Sequence, residues 1–372
     1  MSTLRDLFGK IGVPLYQNES FDLDRYYQEP YQDNEEDVQD QYDMKAPFET
    51  VPSKQKRKII YPSVGESNFA FFMDGTRKTY KIGDIIMDRG KIYPVVVAQV
   101  RAGCTVRLEG GKVHKHILDK RNLLLITSRL NDSDFTELRL RILQSQLARD
   151  TELDVVRYKF DRLKDIAPTN AAIAKANSVM HGMEISILER IVKTKDLKTN
   201  RMLIVDGPLQ FLKEDNGKDS FADMFYNVVG VSKSFDPMLP MSENTRGGAQ
   251  IGSQLVNLEY AERTPVFYKK NKRGRIFGCW YLRIREKKYM RSPLEGIVKI
   301  EKMALREDLE CGFNSDIIDN LSYSILKESI PTCHGQDLRW AVHLYPVYLT
   351  ETMIKSSFQG DFAFVQQFRK HF

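Results

Sequence analysis

Residues 68–128 read as one strand after another, and this run constrains the fold more than any other feature of the chain. "NFAFFMD", "TYKIGDIIM", "IYPVVVAQVRAG", "CTVRLEGG" and "NLLLITS" are short, rich in β-branched and aromatic residues, and separated by glycines or charged turns. Residues 133–165 then switch to helical spacing, with Leu138, Ile142, Leu147 and Leu153 set among many charges. "PTNAAIAKANSVMHGMEISILERIVKT" (168–194) opens on Pro-Thr-Asn, a helix-start signal, and carries apolar residues on one face. The strand "RMLIVD" follows, and then a loop leading into a helix (242–262). A hairpin of "TPVFYKK" and "GRIFGCWYLRIR" turns about "NKRG"; a strand "GIVKIEKM", a helix near 313–328 and the segment "RWAVHLYPVYLTETMIKSSF" close the chain. Strands first, then helices alternating with strands, predict an α/β fold around a mixed sheet flanked by helices. No internal repeat is visible.

The folded body is expected at 58–372, preceded by an N-terminal extension over 1–57. That extension would hold a short amphipathic helix (Leu4, Leu7, Phe8, Ile11), an acidic Tyr-rich segment and the basic linker "PSKQKRK". Residues 17–43 carry ten acids against the single base Arg25, a net of −9. With +6 overall, the rest of the chain stands near +15, the electrostatic footprint expected of a nucleic-acid partner. No apolar run approaches the roughly 18 residues a membrane helix needs, and the N-terminus lacks a signal-peptide core, so a cytoplasmic location is expected by default. Cys104, Cys279, Cys311 and Cys333 lie far apart with no C-x-x-C pair, which argues against a thiolate zinc site and gives no reason to expect disulfides.

Two of the apolar strands end alike: "NFAFFMDGT" at Asp74-Gly75 and "RMLIVDGPL" at Asp206-Gly207. Carboxylates on the tips of neighbouring strands converge in the crevice at the C-terminal edge of an α/β sheet. Two or three such acids make a hard-oxygen site for magnesium or manganese, and a pair of these ions can drive phosphodiester cleavage. Either Asp-Gly by itself reads equally as an ordinary turn. A third acid is expected from the helix beside the strands, where Glu189 borders the apolar face through Ile185, Leu188 and Val192, nearer the sheet than Glu184. Lys233 would lie near a phosphate as a compact positive charge. Arg283 and Arg285 alternate on "WYLRIR" and would present two guanidiniums on one sheet face to backbone phosphates; Lys272 and Arg273, in the hairpin tip "YKKNKRGR", have the same potential use. His114, His116 and His181 lack a second ligand at helical spacing and read as surface residues.

The order of DGT, a helix glutamate, DGP-L, "VVGVSKSF", "IFGCWYLRIR", "PLEGIVKIEKM" and "HLYPVYL" resembles the NurA family of DNA-repair nucleases, as scattered short motifs across most of 68–355. The resemblance implies an RNase H-like fold and cleavage of DNA dependent on manganese or magnesium, two ions being expected. It implies 5′-to-3′ exonuclease activity with endonuclease activity on single strands, a homodimer, and docking on a HerA-type hexameric ATPase. Carried onto this chain, Asp74, Glu189 and Asp206 would hold metal, with Lys233 and Tyr345 as further catalytic positions. The family's histidine about eight residues past that tyrosine is Met353 here. His343, two residues before Tyr345, is the expected substitute ligand, with Glu351 or a differently working site as the other readings.

Two other classes compete. Sugar kinases and actin-like ATPases also place Asp-Gly-Thr at a strand tip, but they need small residues after it, where this chain has Arg77 and Lys78. A DNA-binding adaptor of a translocase that keeps the fold and has lost full metal coordination would bind DNA without cutting it.

Overall fold

The structure, a computed structural model, describes residues 3–26, 41–44, 46–51, 56–59, 66–87, 90–160, 167–209, 224–239, 241, 250–271, 274–330 and 340–372. Its strands, in chain order, are β1 (Leu15–Asp22), β2 (Gln41–Asp43), β3 (Arg57–Lys58), β4 (Phe69–Met87), β5 (Lys91–Arg107), β6 (Val113–Thr127), β7 (Leu153–Tyr158), β8 (Met202–Asp206), β9 (Val228–Ser232), β10 (Glu262–Arg263), β11 (Phe267–Lys270), β12 (Ile276–Arg283) and β13 (Ile297–Met303).

All of these strands join one mixed sheet, whose main path runs β2-β11-β12-β13-β9-β8-β4-β5-β6-β7. Its centre is an antiparallel meander, β4–β5–β6, to whose first strand β8 is added in parallel, followed by β9, parallel to β8. The α/β fold with helices flanking a mixed sheet is as the sequence predicts. β5 is buried almost throughout, as a central strand covered on both faces must be, which is why "VVVAQV" is apolar without alternation.

Successive strand residues point to opposite faces, and the packing follows that alternation. Phe71, Met73, Leu203 and Val205 pack with the long helix Pro168–Lys193 through Ile187, Leu188 and Ile191. Phe72, Ile204 and Val231 face the other way and pack with helix Ser315–Glu328 through Leu321 and Ile325, and with helix Tyr345–Lys355 through Val347.

Three differences from the sequence expectations concern whole elements. The DGT aspartate does not end its strand: β4 continues to Met87, because β5 pairs with it residue by residue across Asp74, Gly75 and Thr76. A strand, β7, stands inside the region assigned to helix, its short alternating segment pairing in parallel with β6. The described residues among the first 57 are not an extension of a separate body. Leu4, Leu7, Phe8 and Leu15 lie in a core cluster with Tyr80, Val97 and Phe364, β1 pairs with β4, β2 with β11, and β3 with β10.

Candidate metal centre

The sheet register brings the two aspartates together. The last rung of the β4–β8 pair is Met73↔Val205, so Asp74 and Asp206 occupy the next level on adjacent parallel strands. Strands lie about 4.8 Å apart, and residues in register share a face. Their face is that of Phe72 and Ile204. Asp206 is itself paired with Val231 on β9, and Lys233, two residues on, returns to the same face. Gly207, at φ +118°, turns the chain away immediately after the acid, a conformation that glycine adopts without strain. Gly230 lies under this exit: a Cβ there would come within 2.8 Å of the Gly207 carbonyl oxygen.

The helix Tyr345–Lys355 lies across this face. The Thr350 hydroxyl hydrogen-bonds with Thr105 Oγ1 (2.6 Å) and lies 3.4 Å from the Phe72 carbonyl oxygen, which seats the helix against the strands. Gly103, the cross-strand partner of Asp74, leaves room for it: a Cβ there would sit 3.0 Å from Ile354 and 3.2 Å from Met353 Cε. This seating delivers Glu351. Carboxylate oxygens of Asp74, Asp206 and Glu351 lie within 4.8 Å of one another.

Charge is concentrated here and only partly balanced. Asp74 is buried, and its pKa is pushed well above the usual carboxylate value. Burial is the main cause and Asp206 adds to it; Lys233 works the other way, and Glu351 and Glu184 push further upward. Lys233 Nζ donates to Asp206 Oδ2 at 2.6 Å and lies 3.9 Å from Glu351 Oε2. Glu351 also accepts from Lys355 at 2.6 Å. Burial acts to raise the Glu351 pKa, but the Lys355 hydrogen bond and the charges of Lys233, Lys355 and His343 outweigh it, so this carboxyl sits below its ordinary value. Three hard oxygen donors fit magnesium or manganese. A lysine ammonium, that of Lys233, already stands beside two of them.

The structure corrects the helix acid. Glu184 is buried with its Oε1 against Gly75, 2.4 Å from where a Cβ on that glycine would lie. Glu189, five residues on, points about 140° away around a helix of 3.6 residues per turn and takes no part in the acidic cluster. Glu184 interrupts the apolar stripe Met180, Met183, Ile187, Leu188, Ile191, and that interruption is the signal that marks it in the sequence. Glu351 carries the same signal, four residues after buried Val347 and three before buried Ile354.

Of His343 and Glu351, the two candidates for a further ligand, Glu351 joins the aspartates. His343 is buried edge-to-face on Tyr348 at 5.5 Å; it acts on Glu351 through its charge and is outside the carboxylate cluster. Tyr345 is the half-buried first residue of the helix that carries Glu351. His181 pairs with Glu184 at 2.9 Å and so is tied to the helix acid.

Arg283 and Arg285 are not available to phosphate. Arg283 is fully buried and donates to the carbonyls of Leu258, Glu295, Leu255 and Pro293. Arg285 is buried, donates to the Ser329 carbonyl at 2.8 Å and stands over Trp340. Arg283 ends a strand buried on both faces, and Arg285, two residues beyond it, is buried against Ser329 and Trp340. Lys272 and Arg273 lie outside the described residues.

Comparison with protein-family models and with curated proteins returns no match for this chain. No helix among the described residues is long and apolar enough to cross a membrane.

Proposed function

We propose that the chain is a divalent-metal-dependent deoxyribonuclease of the NurA type, with Asp74, Asp206 and Glu351 as its metal-holding residues. The observation that carries the reading is the approach of those three carboxylates to within 4.8 Å, each from a different element. The sheet connectivity supports the RNase H-like part of the reading. It has an antiparallel meander with two parallel strands added beside the first, and the acids sit on that first strand and its parallel neighbour. The positive charge of the chain outside 17–43 suits a DNA substrate.

In hydrolysis a water oxygen attacks phosphorus, the phosphorus–oxygen bond to the leaving strand breaks, and the leaving oxygen takes up a proton. A divalent ion held here would polarise the phosphoryl oxygen and favour the attacking hydroxide. The chain's own residues supply the rest. Asp74, fixed in mid-strand by its neighbours on β5 and β8, gives the site a rigid anchor. Asp206 and Glu351 approach it from a strand end and a helix. Lys233, on the same face, offers a compact ammonium to the phosphate. Glu184 bears on Asp74 from the opposite side of β4 and sets its surroundings. A 5′-to-3′ polarity, single-strand endonuclease activity, a homodimer and a HerA-type ATPase partner belong to the same reading and rest on the motif resemblance.

The test is cleavage of end-labelled single- and double-stranded DNA in manganese, magnesium or EDTA, with and without a HerA-type ATPase. Metal-dependent products support the nuclease. DNA retained without cleavage under every condition supports a translocase adaptor instead, a reading favoured by the loss of the family histidine at Met353.

A further inference from the structure

The acidic cluster has a cation built into it. Lys233 Nζ is 2.6 Å from Asp206 and 3.9 Å from Glu351, and its side chain is 8% exposed. Lys233 is held from behind as well as from the front. β9 is hydrogen-bonded to β8 on one side and to β13 on the other up to Ser232, so the backbone leading into the lysine is fixed in the sheet.

We infer that this site takes a single divalent ion, with Lys233 standing where a second ion would otherwise neutralise Asp206 and Glu351. The inference rests on the metal-centre reading above and concerns how many ions that centre holds. It differs from the two ions expected from the paired acids in the sequence.

The argument is one of charge and space. Ionised as metal ligands, Asp74, Asp206 and Glu351 would together contribute −3, and Lys233 returns +1. One divalent ion brings the set to zero, and a second would leave +2 in a site enclosed by the sheet and the Tyr345–Lys355 helix. Among the next neighbours, Glu184, beside Gly75, and Lys355, on Glu351, cancel each other, and the charge of His343 on Glu351 weighs further against a second ion. Uncompensated charge in a poorly solvated site is strongly disfavoured. The space argument agrees, because an ion bridging Asp206 and Glu351 would have to displace an ammonium already 2.6 Å from one of them. A lysine so placed also supplies one of the two positive charges that two-ion nucleases direct at the transferred phosphate.

The experiment counts bound Mn²⁺ by electron paramagnetic resonance of the free ion, on the full chain without DNA. Wild type, Lys233→Arg, Lys233→Met and Asp74→Ala are compared, with circular dichroism to establish that each is folded. The expected counts are one ion per chain for wild type and Lys233→Arg, two for Lys233→Met, and none for Asp74→Ala. Two ions in the wild type, with Lys233 in place, overturn the inference whatever the variants do, and leave the metal centre standing. A count of one in folded Lys233→Met also overturns it. No ion bound by the wild type overturns the metal-centre reading itself.

Discussion

Gly75 has no side chain because the space beside its Cα belongs to Glu184. Its backbone is ordinary strand, so it differs from Gly207, which is needed for a left-handed turn. A methyl at position 75 would meet Glu184 Oε1 at 2.4 Å and Met180 at 2.9 Å. Gly75→Ala should therefore cost about 1–3 kcal/mol, as overpacking of a filled site does. In thermal unfolding that cost should shrink when Glu184→Ala is already present, so that the two changes couple rather than add. An additive pair would mean that Glu184 does not occupy that space. The pair Asp74 and Asp206 was legible in the sequence because two similar apolar runs lead into the same dipeptide. The role of each glycine was not, since the same letter serves a close approach in one and a turn in the other. The choice of Glu189 over Glu184 failed for a related reason. A border position on a helix was preferred to an acid lying within the apolar stripe, and burial of that acid becomes intelligible only once the bare glycine opposite is known.

At the scale of elements, the site depends on what stands behind the Asp206-Gly207-Pro208-Leu209 turn. Glu301 on β13 is fully buried and accepts the Leu209 N–H at 3.2 Å. It is paired with Lys269 at 2.8 Å and Lys299 at 2.7 Å, and Tyr42 caps Lys299 at 2.9 Å. Burial acts to raise the Glu301 pKa, but the two lysines prevail and hold it at about 2. A carboxyl whose folded pKa is depressed contributes stability that is present above its unfolded value, near 4.5, and lost as the pH falls through about 2. Part of the acid-side loss of stability should thus fall in that window. Glu301→Gln should flatten it while costing about 3–5 kcal/mol near neutrality, because two buried lysines lose their counter-charge. Chemical denaturation of wild type and variant between pH 2 and pH 7 measures both. An unchanged acid limb would show that Glu301 is not the titrating group. None of this was visible in "GIVKIEKM", which reads from the sequence only as a strand. Tyr42 on β2 stands against Lys299 and Lys269, and β2 belongs to the region that the sequence reading placed outside the body. Arg283 and Arg285 misled in the same way: β12 ends at Arg283, the two guanidiniums bond different parts of the structure, and both are buried.

At the scale of the whole molecule, the N-terminal residues are part of the fold that carries the site. Asp24 accepts the Thr79 N–H and hydroxyl at 2.8 Å each and pairs with Arg77, three residues beyond Asp74 on β4. Leu4, Leu7, Phe8, Leu15 and Leu23 are buried. At roughly 1.5–3 kcal/mol for each buried side chain, their loss is comparable with the total stability of an ordinary domain. Deleting residues 1–26 should abolish cooperative thermal unfolding; a truncated chain that unfolds cooperatively near the wild-type midpoint would contradict the integrated fold. The alternation of strands and helices was enough to read the α/β class, since periodicity is local. Membership of the N-terminal strands in the sheet is a long-range property, which no local pattern reports.

The measurement that bears most directly on the central claim is Mn²⁺-dependent cleavage of end-labelled DNA by Asp74→Ala, Asp206→Ala, Glu351→Ala and Glu189→Ala beside the wild type. The expected result is cleavage by the wild type and by Glu189→Ala at similar rates, with the other three reduced by at least about a hundredfold, the scale on which loss of a group stabilising the transition state is felt. Full activity in Glu351→Ala, or its loss in a folded Glu189→Ala, would contradict a site built from Asp74, Asp206 and Glu351.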